Sequence, residues 1–173
     1  MMTKEQYEKL SAPVRRNPKA VKVLNRVNKV ITIGVYAAYS VTGLFLLLKK
    51  DARAKRFLIP PAVGFAGVTL YRKKKNAPRP YQVWEIEPLI PRKKDGQSFP
   101  SRHTYSIFAI ASSFFFLWPV IGIVLLAAGV VLAGTRVIAG VHFVKDVAAG
   151  AACGLLTGWI GKLLFRETVS RRE

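Results

Sequence analysis

Residues 103–135, HTYSIFAIASSFFFLWPVIGIVLLAAGVVLAGT, run for 33 positions without an Asp, Glu, Lys or Arg. A helix needs about 20 apolar residues to cross the hydrocarbon core of a bilayer. The stretch is therefore too long for one span. Trp118-Pro119 lies near its middle. Proline is favoured at the first position of a helix and disfavoured inside one, so the stretch predicts two spanning helices joined by a tight turn.

The chain on either side reads in the same terms. Residues 147–165 are apolar except for Lys162, and their repeated Gly and Ala predict close helix packing. Residues 30–48, VITIGVYAAYSVTGLFLLL, carry no charge and match one span. Residues 57–71, FLIPPAVGFAGVTLY, are shorter, with Pro60 and Pro61 near the start. The flanking Arg56 and Arg72 can snorkel to the headgroups, so this too is read as a span. The expected fold is all-α: a polytopic transmembrane helix bundle of about five spans over residues 30–165.

Residues 1–29 form a basic arm and 166–173 a polar tail. Within the arm, Asn17-Pro18 reads as an N-cap followed by proline at the first helical position. Val23, Leu24, Val27 and Val30 then recur at helical spacing between Lys19, Lys22, Arg26 and Lys29. That pattern predicts an interfacial helix leading into the bilayer.

Composition agrees. The chain is 51% hydrophobic yet carries a formal charge of +19. Its basic residues sit in the gaps between apolar runs, where anionic lipid headgroups are the expected partners. A nucleic-acid partner is not expected, because the uncharged runs are long and no zinc, homeodomain or RRM signature is present. No secretory signal is read in the polar, basic first 29 residues. The single cysteine, Cys153, cannot form an internal disulfide and is read as a packing residue.

With loops alternating sides, residues 72–102 and 136–146 face the same membrane surface. Three segments there carry chemistry. In the last, His142 and Asp146 are four apart, close enough on a helix to hydrogen-bond. A carboxylate on one ring nitrogen leaves the other free to attack, and Arg136 could hold phosphate oxygens. In the middle segment, Phe99-Pro100-Ser101-Arg102-His103-Thr104, Ser101 sits where an N-cap belongs. A helix start there would attract an anion, with His103 as a general acid. The first segment, Arg72 to Pro80, is a basic run ending in Arg79-Pro80.

Together these segments resemble the three-part signature of the type 2 phosphatidic acid phosphatase superfamily. That signature has a lysine and a downstream Arg-Pro, then Pro-Ser-x-His, then Ser-Arg, five residues, His, three residues, Asp. Arg136, His142 and Asp146 match the last part in spacing, with Thr135 in place of serine. Pro100-Ser101-Arg102-His103 matches the second, with Arg102 where glycine is commonest. For the first part, the family spacing falls on Arg72, and Lys73 is one residue late.

The resemblance implies a metal-independent phosphatase, without a cofactor, acting on a membrane lipid in two steps. His142 would be the nucleophile and form a phosphohistidine. Asp146 would orient it, and His103 would protonate the leaving group. Arg72 or Lys73, Arg79, Ser101, Arg102 and Arg136 would hold the phosphoryl oxygens. Family members commonly have six spans, and five are counted here. The alternatives are a lipid phosphotransferase and a non-catalytic membrane scaffold of the same fold. Phosphatidic acid, phosphatidylglycerophosphate and undecaprenyl diphosphate all present a phosphate at headgroup level. The residues do not choose among them, nor between a single chain and an oligomer. The setting expected is a bacterial plasma membrane. Lys and Arg number 19 on the catalytic side against 9 on the other, or 14 once five with catalytic roles are set aside. The positive-inside rule then favours a cytoplasmic site.

Overall fold

The computed structural model describes residues 2–91 and 95–165. The polar tail expected at 166–173 lies outside the described residues. Seven helices are present among them: α1 (Lys4–Arg15), α2 (Pro18–Leu48), α3 (Arg53–Lys75), α4 (Pro80–Val83), α5 (Arg102–Phe115), α6 (Pro119–Ile138) and α7 (Val144–Leu164). The polytopic helix bundle follows the expected order. Trp118 and Pro119 do make the turn, as N-cap and first residue of α6.

The prediction for the arm needs correcting. Asn17 caps as expected, its side chain accepting from the Lys19 and Ala20 amides at 3.0 and 3.3 Å. The helix it starts, however, is not a separate interfacial piece. It runs unbroken through residues 30–48, because no proline after Pro18 interrupts it. At about 1.5 Å per residue this rod of 31 residues is roughly 46 Å long, more than the hydrocarbon core, so its basic first third projects past the apolar part. A further helix, α1, precedes it. Thr3 and Gln6 close its N-terminus reciprocally, amide to side chain in both directions.

Two helices depart from the simple span. α5 has only 14 residues, but every one from Thr104 to Phe114 is buried. It is the central post of the bundle, packed chiefly against α7 and α6, and also against α3 and α2. A helix shielded from lipid can carry Ser106, Ser112 and Ser113, whose hydroxyls bond to nearby carbonyls. α3 begins at Arg53, earlier than expected, and continues through Pro60 and Pro61. Proline removes the amide that would bond four residues back. The carbonyls so freed are those of Arg56 and Phe57; the Tyr39 hydroxyl of α2 lies 3.4 Å from Phe57 O and donates to the adjacent Leu58 O at 3.0 Å. Neighbouring helices commonly rescue proline in this way inside membranes.

α2, α6 and α7 are each long and apolar enough to cross a membrane. Their outer faces expose Val41, Leu44, Leu48, Val120, Val124, Leu156 and Leu164, a belt that suits lipid rather than water. Lipid tails are as apolar as the helix faces, so cohesion inside the bilayer comes from close packing. The seam between α5 and α7 shows this. A Cβ on Gly150 would fall 2.6 Å from Ser101 O, and one on Gly154 2.7 Å from Ala109 N and Tyr105 O.

The ends of the bundle sort as the alternating loops require. At one end, Arg56 of α3 donates to Phe116 O, and Lys162 of α7 lies 4.9 Å over the Phe116 ring. The same end holds Asp51, whose carboxyl the Arg53 guanidinium keeps below the usual carboxylate range. The opposite end gathers the C-termini of α3 and α6, the starts of α5 and α7, and α1.

Candidate active site

The third segment spans a turn between two helices rather than lying on one helix. α6 ends at Ile138, and Gly140 adopts φ +69°, a left-handed conformation that suits glycine. α7 starts only at Val144. His142 therefore precedes the helix and does not share a helical face with Asp146, a correction to the reading from spacing. Contact survives through capping: Asp146 Oδ2 accepts the Phe143 amide at 3.0 Å, which folds the turn back. His142 Nδ1 then lies 3.5 Å from Asp146 Oδ2. Both side chains are 1% exposed.

The other ring nitrogen faces a cation. Arg79 Nη1 is 3.4 Å from His142 Nε2 and donates to Val141 O at 2.8 Å. Arg79 Nε donates to Gly96 O at 2.9 Å and Nη2 to Gln97 O at 3.3 Å. Proline at 80 starts α4 and leaves Arg79 extended at its N-cap, aimed inward. The imidazole is thus held between a carboxylate and a guanidinium, one at each nitrogen.

Arg72 and Lys73 separate cleanly. Arg72 is 6% exposed, and its Nη1 donates to Ser98 O at 3.3 Å and to Pro100 O. Lys73 is exposed. Successive residues on a helix point about 100° apart, so only one can face the bundle. Arg136 is 1% exposed and donates to Asn28 Oδ1 of α2 at 3.1 Å. The Thr135 hydroxyl, at the position of the family serine, donates to Leu132 O at 2.7 Å within its own helix.

Ser101 stands at the N-cap of α5 and is fully buried, but its side chain makes no capping bond. Its hydroxyl oxygen accepts from Thr104 Oγ1 at 3.0 Å, and its amide donates to Asp146 O at 2.8 Å. That last bond clamps the start of α5 onto the start of α7. It places His103, half-buried in the first turn of α5, at the same end as His142. Arg102 points elsewhere, its guanidinium 5.3 Å over the Phe65 ring of α3.

Some of the site escaped sequence reasoning. Ser98 donates to Asp146 Oδ2 at 2.5 Å and lies 3.4 Å from His142 Nδ1. Asn28 supports Arg136 from α2, and a polar residue at helical spacing inside a basic stretch was the available signal. The Tyr7 hydroxyl of α1 donates to Ile138 O at 3.2 Å and would sit 2.6 Å from a Cβ on Gly140. The Tyr7 ring stacks on Trp84, and Trp84 meets Phe143 edge-on, with centroids 5.3 and 5.1 Å apart. α1 so buttresses the turn that carries His142. A cleft of about 470 Å³ opens beside the site, lined by Lys75, Trp84, Phe99, Phe143, Lys145 and Asp146 among others.

Comparison with known proteins agrees with this architecture. The family model of the PAP2 superfamily matches residues 74–169. Undecaprenyl-diphosphatase BcrC of Bacillus subtilis is 28% identical over 148 residues, covering 83% of this chain and 75% of that protein. Lipid A 1-phosphatase of Rhizobium etli is 37% identical over 67 residues, 39% of this chain and 28% of the relative. Among solved structures, Aquifex aeolicus LpxE superposes with a TM-score of 0.72 at 23% identity, covering 91% of this chain and 92% of its own. A transmembrane PAP2-type phosphatidylglycerolphosphate phosphatase from Bacillus subtilis gives 0.51 at 22%, covering 96% and 95%.

Proposed function

Because this chain belongs to the PAP2 superfamily, we propose that it is an integral membrane phosphatase that removes phosphate from a lipid monoester or diphosphate through a phosphohistidine. One observation carries the reading. The His142 ring has Asp146 Oδ2 at 3.5 Å from Nδ1 and the Arg79 guanidinium at 3.4 Å from Nε2. A carboxylate on Nδ1 favours the tautomer with its proton there, which leaves the Nε2 lone pair as nucleophile. A guanidinium beside Nε2 is the group that would present a phosphoryl oxygen to it.

In the first step Nε2 attacks phosphorus as the bond to the lipid oxygen breaks. His103, at the start of α5, gives that oxygen its proton. Arg72, Arg79 and Arg136 hold the equatorial oxygens, and the first turn of α5 adds backbone amides and the positive end of its dipole. Phosphoryl transfer is catalysed largely by such clamping and alignment, and in this scheme the three guanidinium groups supply it in place of a metal. In the second step water displaces His142, with His103 now taking a proton. The cleft beside Asp146 would admit a headgroup from the bilayer surface, with Lys75 and Lys145 at its walls. Arg102 and Lys73, stacked on Phe65 and exposed respectively, have no direct part in this scheme.

The relatives include an undecaprenyl-diphosphatase and a lipid A 1-phosphatase, which favours hydrolysis of a lipid phosphate over a scaffold role. The deciding experiment is His142→Ala in purified protein. Phosphate release from a panel of lipid phosphates should vanish while the variant remains folded in detergent. Turnover near the wild-type rate would eliminate the mechanism, and transfer of phosphate to an added alcohol in place of water would identify a phosphotransferase.

A further inference from the structure

Ser98 lies outside the three sequence segments, one residue before the second, and it bonds to residues of the first and the third. Its amide donates to Ala77 O at 2.9 Å, and its carbonyl accepts from Arg72 at 3.3 Å. Its side chain, fully buried, reaches both His142 and Asp146. The donor count at this cluster is informative. The hydroxyl has one proton, and the 2.5 Å separation assigns it to Asp146 Oδ2. The oxygen's lone pairs are then left for His142 Nδ1 at 3.4 Å. The direct path from Nδ1 to Asp146 is 3.5 Å. Both distances exceed the usual 2.7–3.2 Å of an N–H···O bond, so the ring N–H is shared between two acceptors, one of them the serine.

We propose that Ser98 is a positioning residue for the nucleophile, completing a His142–Ser98–Asp146 relay. This rests on the reading of His142 above. The sequence of donors, Nδ1–H to Ser98 Oγ and Ser98 O–H to Asp146 Oδ2, admits only the tautomer with its lone pair on Nε2. When Nε2 forms its bond to phosphorus and the lipid oxygen departs with a proton from His103, the ring becomes positive. The Nδ1 proton stays on the ring, and no proton crosses Ser98. The serine hydroxyl polarises toward the carboxylate and conveys part of its charge to the ring. Ser98 therefore acts in the step that forms the phosphoenzyme, not in holding the lipid.

The test uses the full chain in detergent with mixed micelles of phosphatidic acid or of a polyprenyl diphosphate. Ser98→Ala should lower kcat about ten- to a hundredfold, the range for one hydrogen bond to a charged group, with KM changed less than about twofold. Ser98→Thr, which keeps the hydroxyl, should recover most of the loss. If Ser98→Ala does not fold, Ser98→Cys keeps the size but donates weakly, and it should show the same kcat loss. Wild-type kcat in the Ala or Cys variant, a loss confined to KM, or no recovery with Thr would each overturn the assignment. His142→Ala run alongside separates the two claims. If it is inactive while Ser98→Ala is not impaired, only the serine's role fails. If it is active, the phosphohistidine fails with it.

Discussion

Replacing Asp146 by Asn tests how much of the chemistry rests on one buried charge. The carboxylate is fully buried, and Oδ2 already collects the Phe143 amide and the Ser98 hydroxyl. An asparagine can place its carbonyl oxygen at that position and keep both bonds. Its NH2 then takes the place of Oδ1, which has no hydrogen-bond partner. The amide hydrogens would be buried unsatisfied, at a cost of about 1–3 kcal/mol in stability, so the variant should fold but melt earlier. The catalytic loss is larger. A phosphorylated imidazole carries positive charge 3.5 Å from Oδ2. At an effective dielectric of about 20, unit charges at that distance interact by roughly 4.7 kcal/mol, or about three and a half decades in rate. Spreading of the ring charge reduces this, and the expected fall in kcat is about a hundred- to a thousandfold. The assay is single-turnover formation of phosphoenzyme by rapid quench, because steady-state turnover mixes in product release. A rate of phosphoenzyme formation within about threefold of wild type, in folded protein with unchanged KM, would refute the charge argument and leave Asp146 a capping residue.

Two further predictions concern the bundle. Gly154→Ala puts a Cβ 2.7 Å from backbone atoms of α5, where nothing flexible can yield, whereas Gly34→Ala meets nothing within 4 Å. Thermal unfolding in detergent should show a loss of about 1–3 kcal/mol for the first and little or none for the second, and equal melting would deny the seam its role. The charge bias gives an expectation for sidedness: a Glu87→Cys, Cys153→Ser chain should resist an impermeant thiol reagent in intact cells and react after lysis, and labelling of intact cells would put the catalytic end outside.

The sequence determined what depends on neighbours along the chain. A charge-free run of 33 residues cannot avoid a bilayer, and Trp118-Pro119 must break it. Asn17-Pro18 must start a helix. His142 and Asp146 meet because four residues around a capped turn leave them little choice. Even so, periodicity placed them on a helix, since the Gly140 turn just before them has no periodic signature. Everything set by distant contacts waited for the tertiary structure. Arg72 rather than Lys73 faces inward because α3 meets the bundle on one side only. α5 is a buried post instead of a lipid-facing span because four other helices surround it. Ser98 and Tyr7 reach His142 and the turn that carries it from 44 and 131 residues away along the chain. No local pattern marks such residues, because a hydroxyl contributes to a site only through the partner that folding brings to it.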